Sequence, residues 1–248
     1  MQYVALMGEV EQGVVEAFRT GGGVPYSAYP RFQQLQGEES RQMYGANLVQ
    51  RIVPLDPELE QRLRDGIAVA DIGTGAGAAV NLLAQTFPAS QFKGFDFTDE
   101  GISIAQAEAS AMGLANVKFE VKDIATLDDE AAYDLVTAFD VIHDLAKPRQ
   151  VLSRVAKALK PGGVFLMVDI AASSRLEENL DHPLAPALFT FSTMHCMTVS
   201  LAQDGEGLGT VWGEQKAIEL LNEAGLPNVA VHQLEGDILH SFYFARKK

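Results

Sequence analysis

The hydrophobic rhythm of the chain changes once. Over residues 1–20, Val4, Leu6, Met7, Val10, Val14 and Phe18 fall near helical spacing and predict a short helix. Residues 21–30 follow, rich in Gly, Pro and Tyr. Three consecutive glycines, with Pro25 and Pro30, forbid a continuous helix there. A second helical region is expected over about 39–65, interrupted at Pro54 and Pro57. From Ile67 onward, short apolar runs alternate with longer helical ones. The expected strands are 67–72, 91–97, 117–122, 135–138, 164–170, 229–234 and 241–245. The expected helices are 76–87, 99–112, 149–159 and 214–224, with stops at Gly113, at Lys160-Pro161-Gly162-Gly163 and at Gly225. Such alternation implies right-handed crossovers and a parallel sheet. Only six residues and no helix separate the last two strands, which predicts an antiparallel hairpin at the sheet edge. The fold class is therefore α/β, a doubly wound, mostly parallel seven-stranded sheet preceded by N-terminal helices.

Two departures from the rhythm point to chemistry. Asp71, Asp96 and Asp123 stand at the ends of three successive strands, 25 and 27 residues apart. Open α/β sheets bind ligands at the carboxyl ends of their strands, so three carboxylates should face one crevice. The alternation also stops for 42 residues, 171–212, a segment holding Phe189, Phe191, Met194, His195 and Met197 and then Gly205, Gly207 and Gly209. A long non-repeating insert in a compact domain is usually a lid or a binding segment. The expected division is an N-terminal helical and lid segment, 1–65, and a ligand-binding domain, 66–248, carrying the insert 171–212.

Composition narrows the partners. The 248 residues carry 33 acidic against 19 basic side chains, a net charge of −14, which argues against a nucleic-acid surface or an anionic membrane. A small cationic ligand would be welcome. Cys196 is the single cysteine, so neither an intrachain disulfide nor a Cys-rich zinc site is open to the chain. The first residues lack a basic start and an apolar core, and no apolar run is long enough to span a bilayer, so the default location is cytoplasmic.

The segment Asp71-Ile72-Gly73-Thr74-Gly75-Ala76-Gly77 closes the first strand and opens the first helix of the repeat. Glycines let the backbone turn sharply and approach a ligand. A helix N-terminus presents free N–H groups to a carboxylate or phosphate. The Gly-x-Gly-x-Gly spacing is neither the dinucleotide fingerprint nor a Walker loop. Two ligand classes remain. A dinucleotide would set its pyrophosphate beside the like charge of Asp71. S-adenosylmethionine brings an ammonium that Asp71 can meet and a carboxylate for the turn's N–H groups. The plain alternative for Asp71 is a strand-end cap.

Taken with Gly94-Phe95-Asp96-Phe97, Val121-Lys122-Asp123-Ile124, Tyr133-Asp134-Leu135-Val136, Val141-Ile142-His143-Asp144 and Leu159-Lys160-Pro161-Gly162-Gly163, this segment makes the chain resemble the class I S-adenosylmethionine-dependent methyltransferases over roughly residues 21–248. The insert, with Glu178-Asn179-Leu180-Asp181-His182-Pro183-Leu184 and Met194-His195-Cys196-Met197, looks like a bacterial and mycobacterial-type subgroup. Those relatives usually carry a winged-helix domain ahead of the catalytic domain. Only about 20 residues precede the Gly-Tyr-Pro stretch here, a departure that suggests a truncated form and leaves a homodimer open. The resemblance implies a Rossmann-like sheet with an inserted lid, and S-adenosylmethionine as cofactor with S-adenosylhomocysteine as product. It implies that Asp96 accepts both ribose hydroxyls, that Phe97 packs on the adenine, that Asp123 accepts from the adenine amino group, and that Ile124 offers an N–H and an apolar face. Asp71, Gly73, Thr74 and Gly75 would line the methionine end, with Phe139 beside it. Tyr26 and Tyr29 are candidates to close over the cofactor, their hydroxyls reaching its carboxylate, with an ordinary anchoring pair in a loop as the plain reading. Core packing is the plain reading of Phe97, Ile124 and Phe139, and a loop cap that of Asp123.

Methyl transfer from a sulfonium is an in-line displacement, governed by orientation and exclusion of water, with a base helping a hydroxyl or amine lose its proton. His143, just past the fourth strand, is the leading base and Asp144 its neighbour. His195 is second. The plain reading makes Asp144 a helix cap, His143 a satisfied polar residue and His195 part of buried helix packing. Asp181 and His182 have no third ligand at a recognisable spacing, so no metal is expected. The substrate expected is a small apolar or aromatic molecule methylated on O or N, with no nucleic acid and no membrane as partner. The alternatives are a non-catalytic S-adenosylmethionine-binding regulatory module and an NAD(P)-dependent oxidoreductase.

Overall fold

The computed structural model describes residues 2–248. Seven strands form one sheet in the order β3-β2-β1-β4-β5-β7-β6. They are β1 Ala68–Ile72, β2 Gln91–Asp96, β3 Val117–Val121, β4 Tyr133–Phe139, β5 Leu159–Ile170, β6 Asn228–His232 and β7 His240–Arg246. The first five run parallel and β7 runs antiparallel to both β5 and β6. The strand order reverses between β1 and β4, so the crevice expected of an open α/β sheet lies above the carboxyl ends of β1 and β4.

Both faces of the central strands are buried, and period-two alternation sorts the side chains. Ala70, Ile72, Val136, Ala138, Phe165, Met167, Tyr243 and Ala245 meet Val151, Leu152 and Val155 of helix α6 (Pro148–Ala158) and Ala217, Leu220 and Leu221 of α9 (Glu214–Glu223). Their alternates Val69, Leu135, Val164, Leu166, Val168, Phe242 and Phe244 meet α2 (Phe32–Asn47), α3 (Pro57–Asp65) and α4 (Ala78–Thr86). Strands covered on both sides read as continuous apolar runs, which is how they were legible. Helix α5 (Asp99–Ala111) starts at Thr98, whose hydroxyl accepts from the Gly101 N–H.

The ends of the chain and the insert differ from expectation. Helix α1 spans Gln2–Thr20, but α2 begins at Phe32, seven residues before the expected start. The insert is not a bare loop. It holds α7 (Ala185–Phe191), a wide turn at Ser192–Cys196 and α8 (Met197–Leu201). Neither α7 nor α8 has a capping side chain, and the one start signal is Pro186 in the first turn of α7. What fixes them is a third core, in which Leu6, Met7, Val10 and Val14 of α1 pack with Val24, Tyr29, Leu35 and Val199. Seven residues, 233–239, join β6 and β7. No helix among the described residues is long and apolar enough to cross a membrane.

Candidate active site

The glycine turn follows β1. Gly73 and Gly77 take φ of 64° and 76°, the left-handed region that favours glycine. A Cβ on Gly73 would lie 2.6 Å from Val141, and one on Gly77 2.6 Å from Ala105. Part of the turn's donor set is already used. The Thr74 N–H goes to the Phe95 carbonyl at 2.9 Å and the Gly75 N–H to Asp96 Oδ2 at 2.8 Å. Helix α4 begins immediately after, with no side-chain cap, and Ala78 and Ala79 of its first turn line the cleft. The free N–H groups and the positive end of the helix therefore face the crevice.

The three strand-end carboxylates have different surroundings. Asp71, 2% exposed, accepts from the Thr137 hydroxyl across the β1–β4 pair at 2.6 Å. Burial pushes its carboxyl up to about 6. Asp96 is also buried. Its Oδ1 accepts from the backbone and hydroxyl of Thr98 at 2.9 and 2.7 Å. Asp123 is exposed and caps its own loop, accepting from the Ala125 N–H at 2.9 Å, so the plain reading of this residue holds alongside its place in the cleft.

Three linked spaces lie over these strands. One, about 270 Å³, is lined by Gly73, Asp96, Phe97, Asp123, Ile124 and Val141 among others. The second, about 100 Å³, takes in Asp71, Gly73, Thr74, Gly75, Asp96, Phe97 and Phe139. The third, about 330 Å³, is walled by Met7, Met43, Ile170, Leu184, Leu188 and Phe191 and holds His143, Asp144, His195 and Cys196. Phe32, Tyr44, Phe139, Asp140 and Asp144 border both the second and third spaces. Asp71, Gly73, Thr74, Gly75, Asp96, Phe97, Asp123, Ile124 and Phe139 thus lie along one continuous cleft. Tyr29 does not join them. Its hydroxyl donates to the Met194 carbonyl at 2.5 Å and its ring meets His195 edge-on at 4.7 Å, buried in the third core. Tyr26 lines the two cleft spaces instead, with its ring 5.3 Å from Phe97 and its hydroxyl on Asp144 Oδ2 at 3.1 Å.

His143 sits in the wall of the third space, 5% exposed. Its Nδ1 lies 2.7 Å from Asp169 Oδ1, which also accepts from the Trp212 indole at 2.9 Å. A carboxylate only accepts, so Nδ1 carries the hydrogen and Nε2 turns to Asp144 Oδ1 at 3.3 Å. Burial alone would lower the ring's basicity, but Asp169 and Asp144 outweigh it and hold the ring well above the usual histidine range. His195 is lowered by burial, against the pull of Asp144, and stacks on Phe32 at 4.2 Å. Donor atoms of His143, Asp144 and Cys196 come within 4.8 Å of one another, the spacing of a metal cluster. Burial pushes the Cys196 thiol up to about 11, against the opposing pull of the Thr210 hydroxyl that donates to its sulfur at 2.9 Å, and so disfavours the thiolate a metal would hold. Sequence reasoning missed Asp169 and Trp212. Asp169 lies inside an apolar run and Trp212 at the far end of the insert, and only the fold brings them to His143.

Comparison with known proteins agrees with this fold. A family profile described as a methyltransferase domain matches residues 63–235. The chain belongs to that family, and its sequence motifs and fold are those of the class I S-adenosylmethionine-dependent type. Arsenite methyltransferase of Aquipseudomonas alcaligenes is 32% identical over 160 residues, covering 61% of this chain and 43% of that protein. Fatty-acid O-methyltransferase of Mycolicibacterium smegmatis is 30% identical over 105 residues, 42% of this chain and 38% of that one. The chain thus spans less than half the length of these curated relatives. Among solved structures, an O-methyltransferase family protein of Burkholderia thailandensis aligns at a TM-score of 0.75 and 16% identity, over all of this chain and 70% of the other. Human N-acetylserotonin methyltransferase, solved with S-adenosylmethionine, aligns at 0.68 and 20% identity over 96% of this chain and 66% of its own. At these identities the structures speak for the fold.

Proposed function

We propose that this chain transfers a methyl group from S-adenosylmethionine to a hydroxyl or amine of a small, apolar or aromatic molecule, with His143 as the base. The observation that carries the reading is the Asp169–His143 pair, 2.7 Å apart, in a largely apolar chamber of about 330 Å³ that opens onto the glycine-turn cleft through shared walls. In this reading the free N–H groups of α4 take the cofactor's carboxylate and Asp71 its ammonium. An adjacent ammonium would draw Asp71 back to its charged form. Asp96 takes the ribose, Phe97 and Ile124 flank the adenine, and Asp123 receives the adenine amino group. Phe139, which borders both the cleft and the chamber, would stand beside the methionine end, and the cofactor would supply an electrophilic methyl there.

The acceptor oxygen or nitrogen attacks the methyl carbon in line, the carbon–sulfur bond breaks, and its electron pair stays on sulfur as a neutral thioether. The acceptor's proton passes to Nε2 of neutral His143, and the resulting imidazolium lies between Asp169 and Asp144. Those carboxylates make the ring a strong proton acceptor, at the cost of leaving it protonated over more of the pH range. The relatives' names include arsenite and fatty-acid methyltransferases. Arsenite is a thiol-seeking ligand and finds one thiol in this chain, Cys196.

Transfer of labelled methyl groups onto a metabolite extract tests the activity. His143→Ala should bind S-adenosylhomocysteine as the wild type does and lose about 10²–10⁴ in turnover. Because only neutral His143 accepts a proton and its folded value is raised, wild-type turnover should climb with pH through a midpoint above 6.5, and His143→Ala should lose that limb. Equal turnover in the variant moves the base elsewhere.

A further inference from the structure

The chamber holds a second polar group of residues that methyl transfer does not use. Three segments meet there, Tyr44 from α2, Asp140 just past β4 and His240 at the start of β7, with Asp237 of the preceding loop bonded to His240. The Tyr44 hydroxyl donates to Asp140 Oδ2 at 2.8 Å, while Asp140 Oδ1 is buried without a hydrogen-bond partner. His240 is 3% exposed, and its Nδ1 lies 3.1 Å from both oxygens of Asp237. The hydrogen is therefore on Nδ1, and Nε2 is left 3.8 Å from Asp140 Oδ2, beyond hydrogen-bond reach. Asp140 also holds a left-handed backbone, φ 56°, a conformation that non-glycine residues seldom adopt. A buried acceptor left without a donor costs stability. Asp140 and His240 both line the chamber, and Asp140 stands where the chamber meets the cofactor cleft.

An unfilled acceptor, an imidazole nitrogen just out of reach and a seldom-adopted backbone together describe a place awaiting a donor. We propose that Asp140 and His240 form a second polar subsite that holds a hydroxyl or amine substituent of the acceptor, beside the group that is methylated. The acceptor is then an apolar ring carrying two neighbouring polar groups, one directed to His143 and the other to Asp140. This rests on the chamber being the acceptor's, as proposed above. A donor placed there satisfies Oδ1 directly, and a ring lacking it leaves that oxygen unpaired. Such a site rejects the singly substituted analogue far better than an apolar wall does.

The test is calorimetry on the full chain saturated with S-adenosylhomocysteine, using a vicinal naphthalenediol and the corresponding naphthol. The diol should bind at least tenfold more tightly. Asp140→Asn keeps an oxygen for Tyr44, tolerates the left-handed backbone, and puts an NH₂ donor where the unpaired oxygen was, so the preference should fall to within about twofold. His240→Phe should reduce it as well, and serves if Asp140→Asn fails to fold as judged by S-adenosylhomocysteine binding. Equal affinities in the wild type, no binding of either probe, or a preference surviving both variants each overturns the proposal. Because the readout is binding, a diol preference without any methyl transfer would sink the methyltransferase reading and leave the subsite standing.

Discussion

Asp96 carries several bonds at once. A carboxylate offers about four acceptor positions, and Gly75 and Thr98 fill three of them here. The remaining capacity, on Oδ2, is what a ribose hydroxyl would meet, and a second hydroxyl would have to displace a Thr98 bond. Asp96→Ala should weaken S-adenosylhomocysteine binding at least tenfold, about 1.4 kcal/mol, in calorimetry on a folded variant. Undiminished affinity would take Asp96 out of the cofactor site. Asp96 was legible because a strand-length apolar run ends on it. Asp169 was not, because a carboxylate inside a buried strand looks like an interruption of the run until His143, 26 residues earlier, folds against it. Tyr26 and Tyr29 were indistinguishable for a related reason. They lie three apart in a segment without periodicity, and packing against His195 and Phe97 decides which of them faces the cleft.

At the scale of elements, the sheet and its crossovers were readable to within a few residues, since burial on both faces leaves an unmistakable apolar run. The insert was not. Its helices lack capping side chains and are fixed by α1, almost the full length of the chain away. The β1–α4 turn is the element with least tolerance. Gly73→Ala must accept a left-handed backbone and a Cβ 2.6 Å from Val141. We expect a loss of at least 1–2 kcal/mol in chemical denaturation. Adding Val141→Ala should recover the part due to contact and leave the part due to φ. A double variant no more stable than Gly73→Ala would show that the clash contributes nothing.

For the molecule as a whole, α1 joins the sheet domain chiefly through the insert. Leu6 and Val10 are buried against a core that includes Val199, and Tyr3 and Met7 reach the chamber wall. Truncating Leu6 and Val10 together to Ala should speed amide exchange across 185–201 at least tenfold while leaving β1 and β4 protected, because their packing is separate. Equal acceleration in the sheet would mean that the three cores unfold as one.

The roof over the chamber is built from 2–35 and 185–201, while the proposed donor site lies at the strand ends between 71 and 124. Drift at Met7, Leu188 and Phe191, which face the chamber alone, can alter which molecules enter without touching the donor cleft, whereas Tyr26 and Phe32 line that cleft too. A lineage with this architecture can therefore exchange its clientele by rewriting two stretches that lie far apart in its text.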